Sequence, residues 1–508
     1  MAKTIVQRIF SGGLFLLMGQ LLQRGFMLIF VVVFSQLLPL AAFGQVMLAV
    51  TLMSLGAVLS VVGLPTAVQK FCAGEPTPER RHNFALIALL ATGLVSLFGV
   101  VVANNIEGLS ALFSDTRAFG KILALASFGV VAQGLFNLFF QSLQARERGQ
   151  DYVTMGNVAG VLKLALPLSA YLFTDDPATI IGGLGLAYAF SALGCLHILR
   201  GDDFRPALHG TSLTPAPRVM LFAGSASLVG FSYLLAQHAD KLMLGALSTD
   251  ETVGIYSTAA VLALSLGLFH TAFVGIFMPV ASDSHERGDH AELARGYLLV
   301  SRWATAISGS ALLVLVAAGS WILSLFGPQF GTEDAFRALL ILGAFYFSAS
   351  FFGPTAAVLQ MCGSARWESF NAIVFLGFNL ALNFWLIPVL GVVGAAFATL
   401  LAGLTRRALQ WGQLWSRHRL VVIPLHYTIP FTAVAAGVGF AVAEPAASVT
   451  RLVLASAGLA VMAGWVLFTL HDRERALLQK ARARLPGADK PADQRPDEVP
   501  SLNLPAST

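Results

Sequence analysis

Gln237–Ala260 reads QHADKLMLGALSTDETVGIYSTAA and stands between two long apolar runs. Asp240 and Lys241 come at the end of the first run, the only adjacent acid–base pair that an apolar segment of this chain runs straight into. The stretch continues into Val253-Gly254-Ile255-Tyr256, and Gly254 echoes the Gly44 of Phe43-Gly44-Gln45, 210 residues earlier. That echo reads as a second copy of one ancestral unit, under way near the middle of the chain.

Outward from this stretch the chain is poor in charge. Of 508 residues, 56% are apolar and 12% charged, against roughly 25% charged in a soluble domain. The mean hydropathy is +0.74. The apolar residues gather in runs of about 20, long enough to cross a ~30 Å hydrocarbon core as helix. Fourteen such runs, from 9–34 to 451–470, predict an all-α polytopic membrane protein with about 14 transmembrane helices. Lys and Arg test the count. With the N-terminus in the cytoplasm, 24 of the 32 fall in inner segments, 4 in outer ones and 4 within spans. This is the positive-inside asymmetry, and a missed span would scramble it. Both termini are therefore expected in the cytoplasm. The same topology accounts for the net charge of +5 and the pI near 9.2, so no nucleic-acid partner is expected.

The longest outer connection, 104–118, leaves no room for an extracytoplasmic domain. Met1–Arg8 is short and basic, but the apolar run behind it is too long for a signal peptide, and no cleavable signal is expected. Cys72, Cys195 and Cys362 share no ligand spacing and read as small hydrophobes. No phosphate loop, H-E-x-x-H helix or G-x-S-x-G elbow occurs. The chain is therefore expected to be no enzyme, with no catalytic residues, no cofactor and no metal site.

Two further echoes support the duplication. Gly182–Ala189 (GGLGLAYA) and Gly391–Ala398 (GVVGAAFA) share G-x-x-G-x-A-aromatic-A at an offset of 209. Leu143-Gln144 with Asn157 resembles Leu359-Gln360 with Asn371 at offsets of 216 and 214. The expected domains are an N-lobe of six spans (1–205), a C-lobe of six spans (215–415), two further spans (420–472) and a cytoplasmic tail (473–508), basic and then disordered. Six is even, so the halves share one orientation about an axis along the membrane normal. The repeated glycines read as close-approach positions between helices rather than a nucleotide site.

Charges at membrane depth face a cavity or a partner. Arg24 lies midway along the first span, with Gln20 one turn before it and Gln23 beside it; Lys163 lies midway along the fifth. Lys121 and Arg302 lie nearer span ends, where they can snorkel. His270 reads as a satisfied interior residue. No Asp or Glu occurs from Met1 to Gly74, and Asp240 reads as the one acid at depth, at the outer end of span seven. Asp240 and Lys241 read as a gating or structural pair at that edge. Depth charges that are mostly cationic favour an anionic ligand, since guanidinium pairs with phosphate through two parallel hydrogen bonds.

Asp240-Lys241-Leu242-Met243-Leu244-Gly245 followed by Val253-Gly254-Ile255-Tyr256-Ser257 resembles the Wzx-like polysaccharide flippases (the PST group) of the MOP superfamily. Phe43-Gly44, Met278-Pro279, Leu325–Phe330, Asn379–Asn383 with Ile387-Pro388, and Gly391–Ala396 carry the resemblance over about 10–415. It implies a MATE-like fold, two six-helix lobes around a central cavity, here with two C-terminal helices added. It also implies alternating access in a bacterial cytoplasmic membrane. The ligand it implies is undecaprenyl-diphosphate-linked oligosaccharide, flipped from inner to outer leaflet for O-antigen, exopolysaccharide or capsule, beside a polymerase and a chain-length regulator. Arg24 matches by position a cationic cavity residue that holds the pyrophosphate. The runner-up is a multidrug or metabolite antiporter of the same superfamily.

Single cysteines test the topology. In intact cells, an impermeant maleimide is expected to label one at Glu107 but not one at Arg287. Labelling of the second site alone contradicts the orientation.

Overall fold

The computed structural model describes residues 22, 25–72, 77–113, 117–146, 148–200, 216–418 and 425–469. Among them every predicted span meets a helix. In a bilayer no water reaches the backbone, and helix satisfies each N–H and C=O within its own segment.

The first half holds α1 (Gly25–Leu37), α2 (Leu40–Ser60), α3 (Leu64–Phe71), α4 (Pro78–Asn104), α5 (Ile106–Ala111), α6 (Arg117–Ala145), α7 (Gly149–Thr174) and α8 (Ala178–Leu199). The second half holds α9 (Ala216–Leu247), α10 (Asp250–Glu286), α11 (His290–Ser324), α12 (Glu333–Phe352), α13 (Thr355–Met361) and α14 (Ala365–His418). Then come α15 (Thr428–Ala443) and α16 (Ser448–Thr469). Among the described residues, 10 helices are long and apolar enough to cross a membrane.

One of them makes two crossings. The 54 residues of α14 break at Gly391, whose φ of 56° suits glycine. Asn371 meets Gln413, Asn379 meets Thr399, and a β-carbon on Gly394 would overlap the Leu386 carbonyl. These nested pairs describe an antiparallel hairpin turning at Gly391, and its arms are the predicted spans eleven and twelve. The glycine of the first half that matches Gly394, Gly185, lies against α6, where its β-carbon would overlap the Phe128 ring and stand 3.3 Å from the Gly129 α-carbon. Both glycines of the repeated motif thus serve helix approach.

In the first half, α6 packs on α8, α2 and α4, and α7 on α8; in the second, α12 packs on α14, α10 and α11, and α14 on α9. The halves meet where α2 lies against α9 and α10, and α15 rests on α11 and α12. The chain up to Met462 forms one compact unit and Ala463–Thr508 a second. The predicted tail, 473–508, lies outside the described residues.

The two echoed glycines face each other. A β-carbon on Gly44 would overlap the Asp250 carbonyl and stand 3.2 Å from the Gly254 nitrogen. A β-carbon on Gly254 would stand 3.1 Å from the Leu40 carbonyl oxygen. Each glycine thus sits on the residue four before the other, a reciprocal contact of the kind a two-fold axis produces. Polar contacts tighten this end. Gln45 Nε2 donates to Asp250 Oδ2 (2.7 Å), Gln36 Nε2 to the Leu325 carbonyl (2.7 Å) and Gln329 Nε2 to the Ser35 carbonyl (3.2 Å). Phe43 and Phe330, both buried, meet edge to face at 5.4 Å between centroids.

Gly44→Leu is expected to wedge this end open, at an overpacking cost of about 1–3 kcal/mol. In detergent, a cysteine at Ser35, which is fully buried, then gains maleimide labelling. Gly93→Leu, whose β-carbon meets open space, leaves it protected. Equal labelling in the two variants contradicts the tight approach.

Candidate functional site

A cavity of about 600 Å³ opens among α9, α10, α12, α13 and α14. Its polar lining comes from Gln237, His238, Asp240 and Lys241 of α9, Tyr256 and His270 of α10, Gln360 of α13, and Thr399, Arg406 and Arg407 of α14.

Asp240 anchors one end. Its Oδ1 accepts from Asn379 Nδ2 (3.1 Å) and Asn383 Nδ2 (2.8 Å). Its Oδ2 accepts from the Thr399 hydroxyl (2.5 Å) and the Tyr256 hydroxyl. Asn379 and Asn383 are one helical turn apart and share a face; the hairpin at Gly391 brings Thr399 across to join them. The sequence reads Asp240 and Lys241 as the rim of span seven; the structure gives the span a longer helix. The helix runs on to Leu247, so both residues lie about two turns inside it. A carboxylate met by four donors need not reach water.

Lys241 is 8% exposed. Consecutive residues on a helix do not face each other, and among the described residues no ion pair within 4 Å joins Lys241 to Asp240. The pair therefore divides: Asp240 is held by its own network, and Lys241 lines the cavity.

A second polar network stands at the other end. Arg406 pairs with Glu368, and Gln410 Nε2 donates to Glu368 Oε2 at 2.7 Å. Thr355 donates to Gln410 Oε1 at 2.9 Å, and Arg407 Nη1 reaches the same atom at 3.2 Å. Beside them Asn371 and Gln413 exchange hydrogen bonds of 2.8 and 2.9 Å. Glu368, just before span eleven, is buried at 5% exposure. Arg406 and Arg407 are not only inner-segment charges, because both line the cavity. The signal was present in the spacing: Thr399, Arg406, Gln410 and Gln413 fall on one face of span twelve.

One histidine also differs from expectation. His270 lines the cavity, and its Nδ1, like that of His238, is buried without a hydrogen-bond partner among the described residues. Lys163 lies in the first half instead, on α7, its ammonium 5.3 Å from the Tyr188 ring centroid. Arg24, Gln20 and Gln23 lie outside the described residues. The cavity lining thus carries Lys241, Arg406 and Arg407 against Asp240, with Glu368 behind it pairing Arg406, which leaves one positive charge in excess. In a low-dielectric setting such a lining attracts anions.

A sequence model of the family described as "Polysaccharide biosynthesis protein" matches residues 9–285. An uncharacterised membrane protein of Methanocaldococcus jannaschii is 22% identical over 416 residues, 77% of this chain and 94% of that one. Among solved structures, the lipid II flippase MurJ in an inward closed conformation matches with a TM-score of 0.67 and 12% identity, over 91% of this chain and 99% of that one. An inward-facing multidrug resistance MATE family transporter of the MOP superfamily matches with a TM-score of 0.65 and 15% identity, over 78% and 94%. A MOP superfamily transporter from Pyrococcus furiosus, described as having a binding pocket of reverse polarity, matches at 0.57 and 16% identity, over 82% and 95%.

Asp240→Ala strands four buried donors. It is expected to destabilise the detergent-solubilised protein by about 3 kcal/mol, read as a lower melting temperature. Asp240→Asn, which keeps one acceptor, loses less. An unchanged melting temperature in Asp240→Ala contradicts the hub.

Proposed function

Because this chain belongs to the polysaccharide biosynthesis protein family, we propose that it flips undecaprenyl-diphosphate-linked oligosaccharide from the inner to the outer leaflet of a bacterial cytoplasmic membrane. The observation that carries this reading is the cation-lined cavity inside a membrane-spanning bundle. A diphosphate head group is the anion that a membrane-embedded polysaccharide precursor brings, and guanidinium matches it bidentately. A protein of like fold described as a lipid II flippase supports a lipid-linked ligand.

The mechanism is alternating access by two lobes, 1–205 and 215–415. The contact of Gly44 with Gly254 closes the outer end, and the cationic cavity takes the head group from the inner leaflet. Its binding offsets the cost of parting the outer end, and rocking of the lobes then carries the head group across. Arg24, with Gln20 and Gln23, supplies the first lobe's share of the head-group contacts, and Lys163 stands deeper in the same lobe. The released unit passes to a polymerase with its chain-length regulator, towards O-antigen, exopolysaccharide or capsule.

One observation favours the second reading, a multidrug or metabolite antiporter. Coupling to a cation generally uses a carboxylate at depth, and Asp240 is one.

Reconstituted proteoliposomes separate the two. The protein is expected to flip a fluorescent polyprenyl-diphosphate oligosaccharide, with Arg407→Ala slowing it about tenfold or more. In cells Arg24→Ala is expected to abolish surface polysaccharide at normal protein level. No flipping together with gradient-driven uptake of small cations supports the antiporter instead.

A further inference from the structure

The end opposite the contact of Gly44 with Gly254 is shut as well, by a different device. α2 carries the chain about 30 Å, from Leu40 to Ser60, and there the helix breaks. Val62 and Gly63 take φ of 43° and 68°, and α3 follows from Leu64. A left-handed step suits Gly63 but strains Val62, a β-branched residue. The second half has no such break. At the offset of 210 that joins Gly44 to Gly254, Val62 and Gly63 correspond to Ala272 and Phe273. There α10 runs on as one helix, from Asp250 to Glu286.

The step brings the first half onto α9. A β-carbon on Gly63 would overlap the Ala223 carbonyl and stand 2.7 Å from the Ser227 nitrogen. Val219 and Ala223 of α9 are fully buried, in one apolar cluster with Leu64, Ala67 and Val68 of α3. The cluster at the same place in the second half, around Phe277, Leu293 and Val358, draws among the described residues on its own half only. At the rim the Lys70 ammonium stands 3.9 Å from the centre of the Phe222 ring. Phe71 meets that ring edge to face at 5.7 Å. The first turns of α9 are thus seated in the other half, on a shelf that the broken helix provides.

Resting on the alternating-access reading above, we infer that this seat is a spring-loaded gate at the inner end. The first turns of α9 leave α3 to open that end and return to shut it. Val62 is held left-handed only while α9 sits on Gly63, so its strain opposes closure and keeps the gate from locking. The contact of Lys70 with Phe222 is the latch that offsets the strain. The gate does not depend on the ligand's charge, and it serves a flippase and an antiporter alike.

Electron paramagnetic resonance distances test this on the full-length protein in lipid nanodiscs, without added ligand. Nitroxide labels stand on cysteines placed at Thr66 of α3 and Arg218 of α9, both exposed; the native cysteines are buried. The wild type is expected to show two distances, the shorter one matching this structure. Gly63→Leu removes the shorter distance, because its side chain meets the α9 backbone. Val62→Gly, which relieves the strain, raises the ratio of shut to open about tenfold, the worth of one left-handed residue other than glycine. Lys70→Gln lowers that ratio about threefold. General damage to the fold does not produce the rise expected of Val62→Gly. A single unchanged distance in the wild type and all three variants overturns the gate, as does a ratio that Val62→Gly leaves unchanged or lowers. Opening and closing as described, in a protein that flips no polyprenyl-diphosphate oligosaccharide, supports the gate and overturns the flippase reading alone.

Discussion

Two glycines set how closely the halves of this protein approach. Gly44 rests on the backbone of Asp250, and Gly254 on that of Leu40. Between lobes in a membrane no hydrophobic gain drives association, and close packing with interhelical hydrogen bonds takes its place. A side chain at either position would part the backbones and with them the bonds of Gln45, Gln36 and Gln329. Because the contact is reciprocal, the two halves share the same point of closure. A bundle held shut at this end has to admit its ligand elsewhere.

The same scarcity of water divides the charges. Asp240 and Glu368 are both buried and both fully engaged, one by Tyr256, Asn379, Asn383 and Thr399, the other by Arg406 and Gln410. The hairpin of α14 supplies most of these partners, so one kinked element builds the two networks that bracket the cavity. Lys241, Arg406 and Arg407 outnumber these two acids by one, so the space between the networks carries a positive excess.

The membrane class was legible from hydropathy, and the alternation of Lys and Arg gave the number of spans, including the two fused into α14. The echo of Gly44 at Gly254 marked a real contact, because a backbone-to-backbone approach this close leaves no space for a β-carbon. The cavity was harder to find. Asp240 stands out in the sequence as a charge where the hydropathy of span seven falls; its network does not, because the four donors come from other helices. Arg406 and Arg407 were counted as topology signals, because a basic residue near a span end has that simpler explanation. The contacts of Arg406 and Gln410 with Glu368 depend on the reversal at Gly391, which places residues 38 and 42 positions apart side by side. Asn379, Asn383 and Thr399 carried a recoverable signal in their shared helical faces.

An anionic lipid head group held in the second-lobe cavity is the centre of this account. An electron cryomicroscopy map of the protein in lipid nanodiscs with polyprenyl-diphosphate-linked oligosaccharide addresses it directly. The account predicts density for the diphosphate within hydrogen-bond distance of Arg407 and His270, with the outer end closed at Gly44 and Gly254. A well-resolved map in which the head group lies elsewhere and this cavity holds only water would contradict it.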